Sequence, residues 1–408
     1  MRRVPQAPRW VILLAFGTFL GVPIVEAQDA TSKKPLAVED LYLMESVRSP
    51  TLFPKEEKLV YERVWIDPKT KEERHSLWIV DGKRENRKPL EDGEPDGRSP
   101  VVSPDGHWIA FLSTRKHAAG AKQVPPAPPY SDAAVDIWLY HVKSGQVKPL
   151  GGPDRPWGRV FHDGFYGHVA FSADSAKLVF VADDGAAPRT YEEQENDVEI
   201  VRPDQGEGYT GYGPAQLWIA ELDEARVLPE AAASKITRLT TDDIWYGDPQ
   251  WSPDGKSIAV HANKTKDRES VRFSINKNFD LFLIDVASKK QTQLTDNSGP
   301  DVSPRFSPGG KQIAYLSGPR KGPHRDVFGL AILTLALGRP KGIDLKNLAP
   351  AFPLGKDCWQ SEKSLVFSVD IGTTTLNSKV NVVSGEFAFV PNFSTDGQKI
   401  QSPASRLG

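Results

Sequence analysis

A serine that attacks a carbonyl sits on a strained strand-to-helix elbow, Gly-x-Ser-x-Gly, with an acid and then a histidine later in the chain. No such string occurs in these 408 residues. The nearest, Gly97-Arg-Ser-Pro-Val101 and Gly255-Lys-Ser-Ile-Ala259, lack the final glycine and fall in the turns of a repeat. No catalytic residue is therefore assigned. His162-Asp-Gly-Phe-Tyr-Gly-His168 places two imidazoles and a carboxylate close together, but the spacing matches no zinc pattern and no cysteine pair supports it. It reads as a loop. Asp242, Asp243 and Asp248 read as a solvated turn before a strand. Gly206-Glu-Gly-Tyr-Thr-Gly-Tyr-Gly213 does not join a strand to a helix, so it is no phosphate cradle. Neither a metal nor a cofactor is expected. Tyr191-Glu-Glu-Gln-Glu-Asn-Asp-Val-Glu199 is an acidic run, of the kind that usually faces water.

The elements that carry these residues are set by a repeat. An apolar strand runs into a Ser-Pro-Asp-Gly-like turn and out again at Val102–Gly106, Phe171–Ser175, Trp251–Gly255, Phe306–Gly310 and Phe393–Gly397. Proline presets φ at the first corner, Asp bonds back to the backbone, and Gly accepts the positive φ that closes the hairpin. The strands that follow, such as Lys256–Ala262 and Lys311–Ser317, are nearly continuous apolar runs, which suit sheets covered on both faces. Third strands include Gln216-Leu-Trp-Ile-Ala-Glu221 and Asp280-Leu-Phe-Leu-Ile-Asp285; fourth strands end on Leu or Leu-Thr, as at Leu239-Thr240.

Two worn copies, at Leu52–Tyr61 and Cys358–Phe367, bring the count to about seven units of roughly fifty residues, a propeller period. The expected fold is thus an all-β, seven-bladed β-propeller of four-stranded blades spanning 45–408. Its blades begin near 45, 98, 165, 246, 301, 356 and 391. The second and third units are longer between their second and third strands, at Arg115–Ala134 and Asp183–Ala215, and loops of that length in a compact fold are usually functional or disordered. After Lys399-Ile400 the sequence holds no third and fourth strands, so the last blade is expected to be incomplete and to leave an exposed strand edge.

The chain carries 51 basic and 53 acidic residues, a net charge of −2. That balance argues against a nucleic-acid partner, which needs a basic stripe. Arg2, Arg3 and Arg9 precede an apolar stretch, Val11 to Val25, and Val25-Glu-Ala27 offers small residues before a cleavage point. Residues 1–27 are expected to be a signal peptide cut between Ala27 and Gln28, with 28–44 a lead-in. The apolar stretch is shorter than a membrane span, so no span is expected after its removal. The product would be periplasmic or secreted. Cys358, the single cysteine, cannot form an intrachain disulfide.

Ser-Pro-Asp-Gly-Lys blades behind a signal peptide resemble two groups. One is the amino-terminal propeller of the prolyl oligopeptidase family of serine peptidases, in particular its dipeptidyl-peptidase and acylaminoacyl-peptidase branches. The other is the propeller of TolB. The resemblance to the peptidases implies a non-catalytic ring that gates access to a hydrolase domain, and that domain's elbow has no counterpart here. It also implies that a glutamate pair holds the free α-amino group of a peptide, a role open to Glu192 and Glu193. A cationic amine with three donors is well met by two carboxylates. The residues around the pair depart from that family's motif. A TolB-like propeller would instead present its rim to a partner protein. Either way the expected partners are peptides or a protein at the rim. The sevenfold count, the two insertions and the short lead-in favour the peptidase branch.

Overall fold

The computed structural model describes residues 12–13, 37–83, 86–116, 135–151, 155–167, 169–185, 196, 214–222, 233–242, 244–263, 278–319, 328–371 and 374–390. The described residues form an all-β fold with six β-propeller blades, and a short 3₁₀ turn at Val38–Leu43 precedes them. Blade one is Glu45–Leu52, Lys58–Ile66, Glu73–Asp81 and Lys88–Pro89, with Ile12–Leu13 paired in parallel to its first strand. Blade two is Arg98–Val102, Trp108–Ser113, Asp136–His141 and Val147–Pro149. Blade three is Ala170–Phe171, Lys177–Ala182, Gln216–Leu222 and Ala233–Arg238. Blade four is Trp245–Trp251, Ser257–Asn263, Asp280–Asp285 and Gln291–Gln293; blade five is Asp301–Phe306, Gln312–Ser317, Gly329–Thr334 and Arg339–Ile343.

In blade six, Ala349–Pro350 and Trp359–Ser361 both pair with Ser364–Ile371, followed by Thr374–Asn381 and Phe387–Phe389. It starts earlier than the spacing predicts, because its first strand is split by an excursion over 351–358. The expected seventh blade, from 391, lies outside the described residues. The chain divides into two compact units, 1–115 with 140–147 and 116–139 with 148–408.

The repeated turn folds as its residues dictate. In blade four the Ser252 hydroxyl donates to Asp254 at 2.6 Å and accepts the Ser257 amide at 3.0 Å, while the Gly255 amide donates to the Ser252 carbonyl. Gly255 sits at φ 68°, the left-handed region that glycine enters without a Cβ penalty. Ser172, Asp174 and Lys177 repeat the pattern in blade three, where Ser175 takes the positive-φ corner at 61°. The hydroxyl bonds, first among the causes, hold the Asp174 and Asp254 carboxyls below their usual range.

Burial follows the apolar pattern. The second strands of blades two to five are buried along nearly their whole length. That of blade six alternates, with Leu365, Phe367 and Val369 buried and Asp370 exposed, as in a sheet covered on one face only. In the second unit one continuous apolar cluster runs from blade three to blade six. Tryptophans at the ends of first strands tie successive blades: Trp251 Nε1 donates to the Ala170 carbonyl, and Trp359 Nε1 to the Arg305 carbonyl.

Candidate functional site

A second repeat, hidden in the sequence, shapes the first strands. Ser49-Pro50, Ser99-Pro100, Asp248-Pro249 and Ser303-Pro304 each interrupt strand register, and the residue before each proline has φ between 47° and 56°. A bulge of this kind kinks the strand and re-aims the flanking side chains. Ser99, the middle of the elbow-like string Gly97–Val101, therefore owes its left-handed backbone to an architectural device found in four blades. Its amide donates to Glu62 Oε2 at 2.9 Å, and Glu62 Oε1 meets His75 Nδ1 at 2.7 Å. The carboxylate thus serves a backbone amide and an imidazole.

In blade four His261 occupies the strand position that Glu62 holds in blade one, and its Nδ1 accepts the Ser303 amide at 3.5 Å. Burial pushes the His261 pKa down to about 4, against the pull of Asp248 and of the Phe165 backbone, so the ring is neutral. Gly247 is required here, since a Cβ would stand 2.3 Å from both His261 Nε2 and the Phe165 carbonyl.

The bulges of blades four and five also place charges in the core. Asp248, expected in a solvated turn, is fully buried. Its Oδ2 accepts Arg305 Nη1 at 2.8 Å, and the same guanidinium donates to the Leu354 carbonyl on the blade-six excursion. The ionic partner lies fifty-seven positions away (305 − 248), out of reach of local pattern. From that excursion Lys356 Nζ donates to the Val169 carbonyl at 2.9 Å, joining blade six to the entry of blade three. Burial draws its pKa down to about 8, with Asp248 opposing. Burial likewise pushes the Cys358 thiol up to about 12, which removes it as a nucleophile.

Above this charged core lies an aromatic surface. Phe165 stacks against Phe352 at 4.5 Å and Phe279 at 5.9 Å, and Phe328 against Phe352 at 5.7 Å. Phe165, Phe328 and Phe352 are half-buried. Phe165 is in the connection entering blade three; Phe279 and Phe328 immediately precede third strands. All belong to the end of the blades where second strands finish and third strands begin. The long connections of blades three, four and five, containing residues 186–213, 264–277 and 320–327, start and finish at this same end. In blades four and five the opposite end carries the tight Ser-Pro-x-Gly turns and the hairpins near 287–290 and 335–338. Loops concentrated on one end of a rigid scaffold are where binding residues gather.

The insertions of blades two and three show in the sequence because they lengthen their units; those of blades four and five leave the repeat spacing near fifty and do not. Glu192, Glu193, Ala27 and Gln28 all lie outside the described residues. So do His168 and the glycine-rich stretch at 206–213; His162 is exposed on a loop. Among the described residues no group of three or more His, Cys, Asp and Glu could hold a metal.

No protein-family profile matches the chain. Dipeptidyl-peptidase 5 of Porphyromonas gingivalis is 25% identical over 323 residues, which cover 74% of this chain and 42% of that protein. The crystal structure of the acylaminoacyl peptidase of Pyrococcus horikoshii superposes with a TM-score of 0.55 at 15% identity, covering 86% of this chain and 47% of that one. The chain resembles the propeller of prolyl-oligopeptidase-family peptidases. A TolB-like similarity accompanies it: the TolB homologue of Chlorobium chlorochromatii is 31% identical over 93 residues, 23% of this chain and 18% of that protein. The chain spans less than half the length of the peptidases it matches. No helix among the described residues is long and apolar enough to cross a membrane.

Proposed function

We propose that this chain is the non-catalytic, substrate-gating propeller of an exported serine peptidase of the prolyl oligopeptidase family, the hydrolase being carried outside these 408 residues. The observation that carries this reading is the one-sided build of the blades. Three long connections and a half-buried aromatic surface share one end, and in blades four and five tight turns occupy the other. The likeness to dipeptidyl-peptidase 5 supports peptides as the substrate class. On this reading the aromatic end faces the hydrolase and takes apolar peptide side chains. Glu192 and Glu193, in the blade-three connection, hold the peptide's free amine, and residues from 391 begin a seventh blade. Export follows from the basic start and apolar stretch, so the amino terminus of exported protein should be Gln28. Sequencing that finds Met1 retained in exported material would refute the leader.

The alternative, a TolB-type rim for a folded partner, draws on the local TolB similarity. Fluorescence titration separates the two. Short unfolded peptides with free amino termini should saturate the protein, acetylated ones should bind more weakly, and folded proteins should not bind. Binding only to a folded protein would favour the TolB-type reading.

A further inference from the structure

Where blade four meets blade five, two carboxyl groups are buried together, with no cation paired to them among the described residues. Asp280 opens the third strand of blade four and is 7% exposed; Asp301 opens the first strand of blade five and is 0% exposed. Thr295 and Asn297, in the connection between the blades, lie against both. Gln293 Nε2 donates to Asp280 Oδ2 at 3.2 Å, and Asn297 Nδ2 to Asp301 Oδ2 at 2.7 Å. The Thr295 hydroxyl accepts the Leu281 amide at 2.9 Å and keeps its own O–H to offer the two carboxyl groups, and the Ser317 hydroxyl faces Asp301. Oδ1 of each aspartate is buried and has no hydrogen-bond partner. The groups that face the pair are Asp296 from the connection, which adds a like charge, and Tyr315 from blade five, whose own ionisation Asp301 opposes. Among the described residues no lysine, arginine or histidine forms an ion pair with either carboxylate. A shallow cavity lined by Gln293, Thr295, Asp296, Asn297, Asp301 and Pro340 opens beside them.

Two ionised carboxylates in such a setting repel each other and leave two buried oxygens without a donor. Both costs fall if one of them is protonated, since an acid O–H supplies a donor and removes a charge. We propose that Asp280 and Asp301 form a carboxyl pair that holds one proton near neutral pH, and that losing this proton loosens the join between blades four and five. Burial, then Asp301, then Asp296 raise the Asp280 pKa to about 7. Burial also raises that of Asp301. The sign follows from linkage. Between the unfolded value near 4 and the folded value near 7 the native state binds the extra proton, so this contribution to stability falls as pH rises through that window. The Asp301 amide donates to the Phe279 carbonyl at 2.7 Å, so the join and the aromatic surface share a residue.

His261, whose folded pKa is depressed, contributes in the opposite direction, losing stability as pH falls from about 6.5 to about 4. The readout is therefore the difference between variant and parent. Asp280→Asn keeps the shape and mimics the protonated form. It should melt at least about 2–4 °C above the parent near pH 8, with the gap narrowing as pH falls and closing near pH 4, and Asp301→Asn should act alike. Infrared difference spectra of the parent should show a protonated-carboxyl band near pH 6 that is lost by about pH 8, a test that needs no variant to fold. A parent–variant difference independent of pH, or no such band, would overturn the proposal. So would a rise in the parent's melting temperature on adding calcium chloride that Asp280→Asn abolishes, since the pair would then be a cation site.

Discussion

Arg305 does the work of several residues in the second unit. It neutralises Asp248, satisfies the Leu354 carbonyl and supplies the carbonyl that Trp359 binds, so blades four, five and six meet at one side chain. Asp248 can be in the core because its bulge backbone, φ 47°, turns the carboxylate inward, and Asp is among the few non-glycine residues that tolerate that region. Removing one partner of a buried ion pair costs about 3–5 kcal/mol, because the other charge stays buried and unpaired. Arg305→Met should therefore lower unfolding stability by about that amount in urea titrations. The double variant with Asp248→Asn, which keeps the backbone and removes the stranded charge, should recover part of the loss. Equal losses in single and double variants would show that the pair contributes little beyond packing.

At the scale of elements, the turns were legible and the bulges were not. Ser252-Pro-Asp-Gly255 determines its own geometry through hydroxyl, carboxylate and φ, all within four residues, so the sequence alone predicts a hairpin there. Ser303-Pro304 carries no such signal. Its left-handed serine becomes meaningful only once Val302 and Arg305 are seen paired with Leu316 and Ala314 on the next strand. Blade six was misplaced for a related reason. Ala349-Pro350 looks like the close of the preceding unit until its pairing with Asp370 and Val369 makes it the start of a split first strand. The charged core was illegible because Asp248, Arg305 and Lys356 come from three blades. Of the site, the acidic run with Glu192 and Glu193 stood out by composition. The aromatic surface did not, since Phe165, Phe279, Phe328 and Phe352 are far apart in sequence and look like ordinary strand flanks.

At the scale of the whole molecule, the account rests on an asymmetry. In blades four and five short turns close one end, and long connections with half-buried aromatics dress the other. In the second unit the blade-six excursion that carries Phe352 is tied down by Lys356 on the Val169 carbonyl and by Arg305 on the Leu354 carbonyl. The most direct measurement is photo-crosslinking with short peptides that carry a benzophenone side chain and a free amino terminus, followed by mapping of the modified residues. The account predicts crosslinks at Phe165, Phe328 or Phe352 and in the connections within 186–213, 264–277 and 320–327, suppressed by unlabelled peptide. Crosslinks confined to the turn end, around Ser172–Ser175, Ser252–Gly255 and Ser307–Gly310, would contradict it.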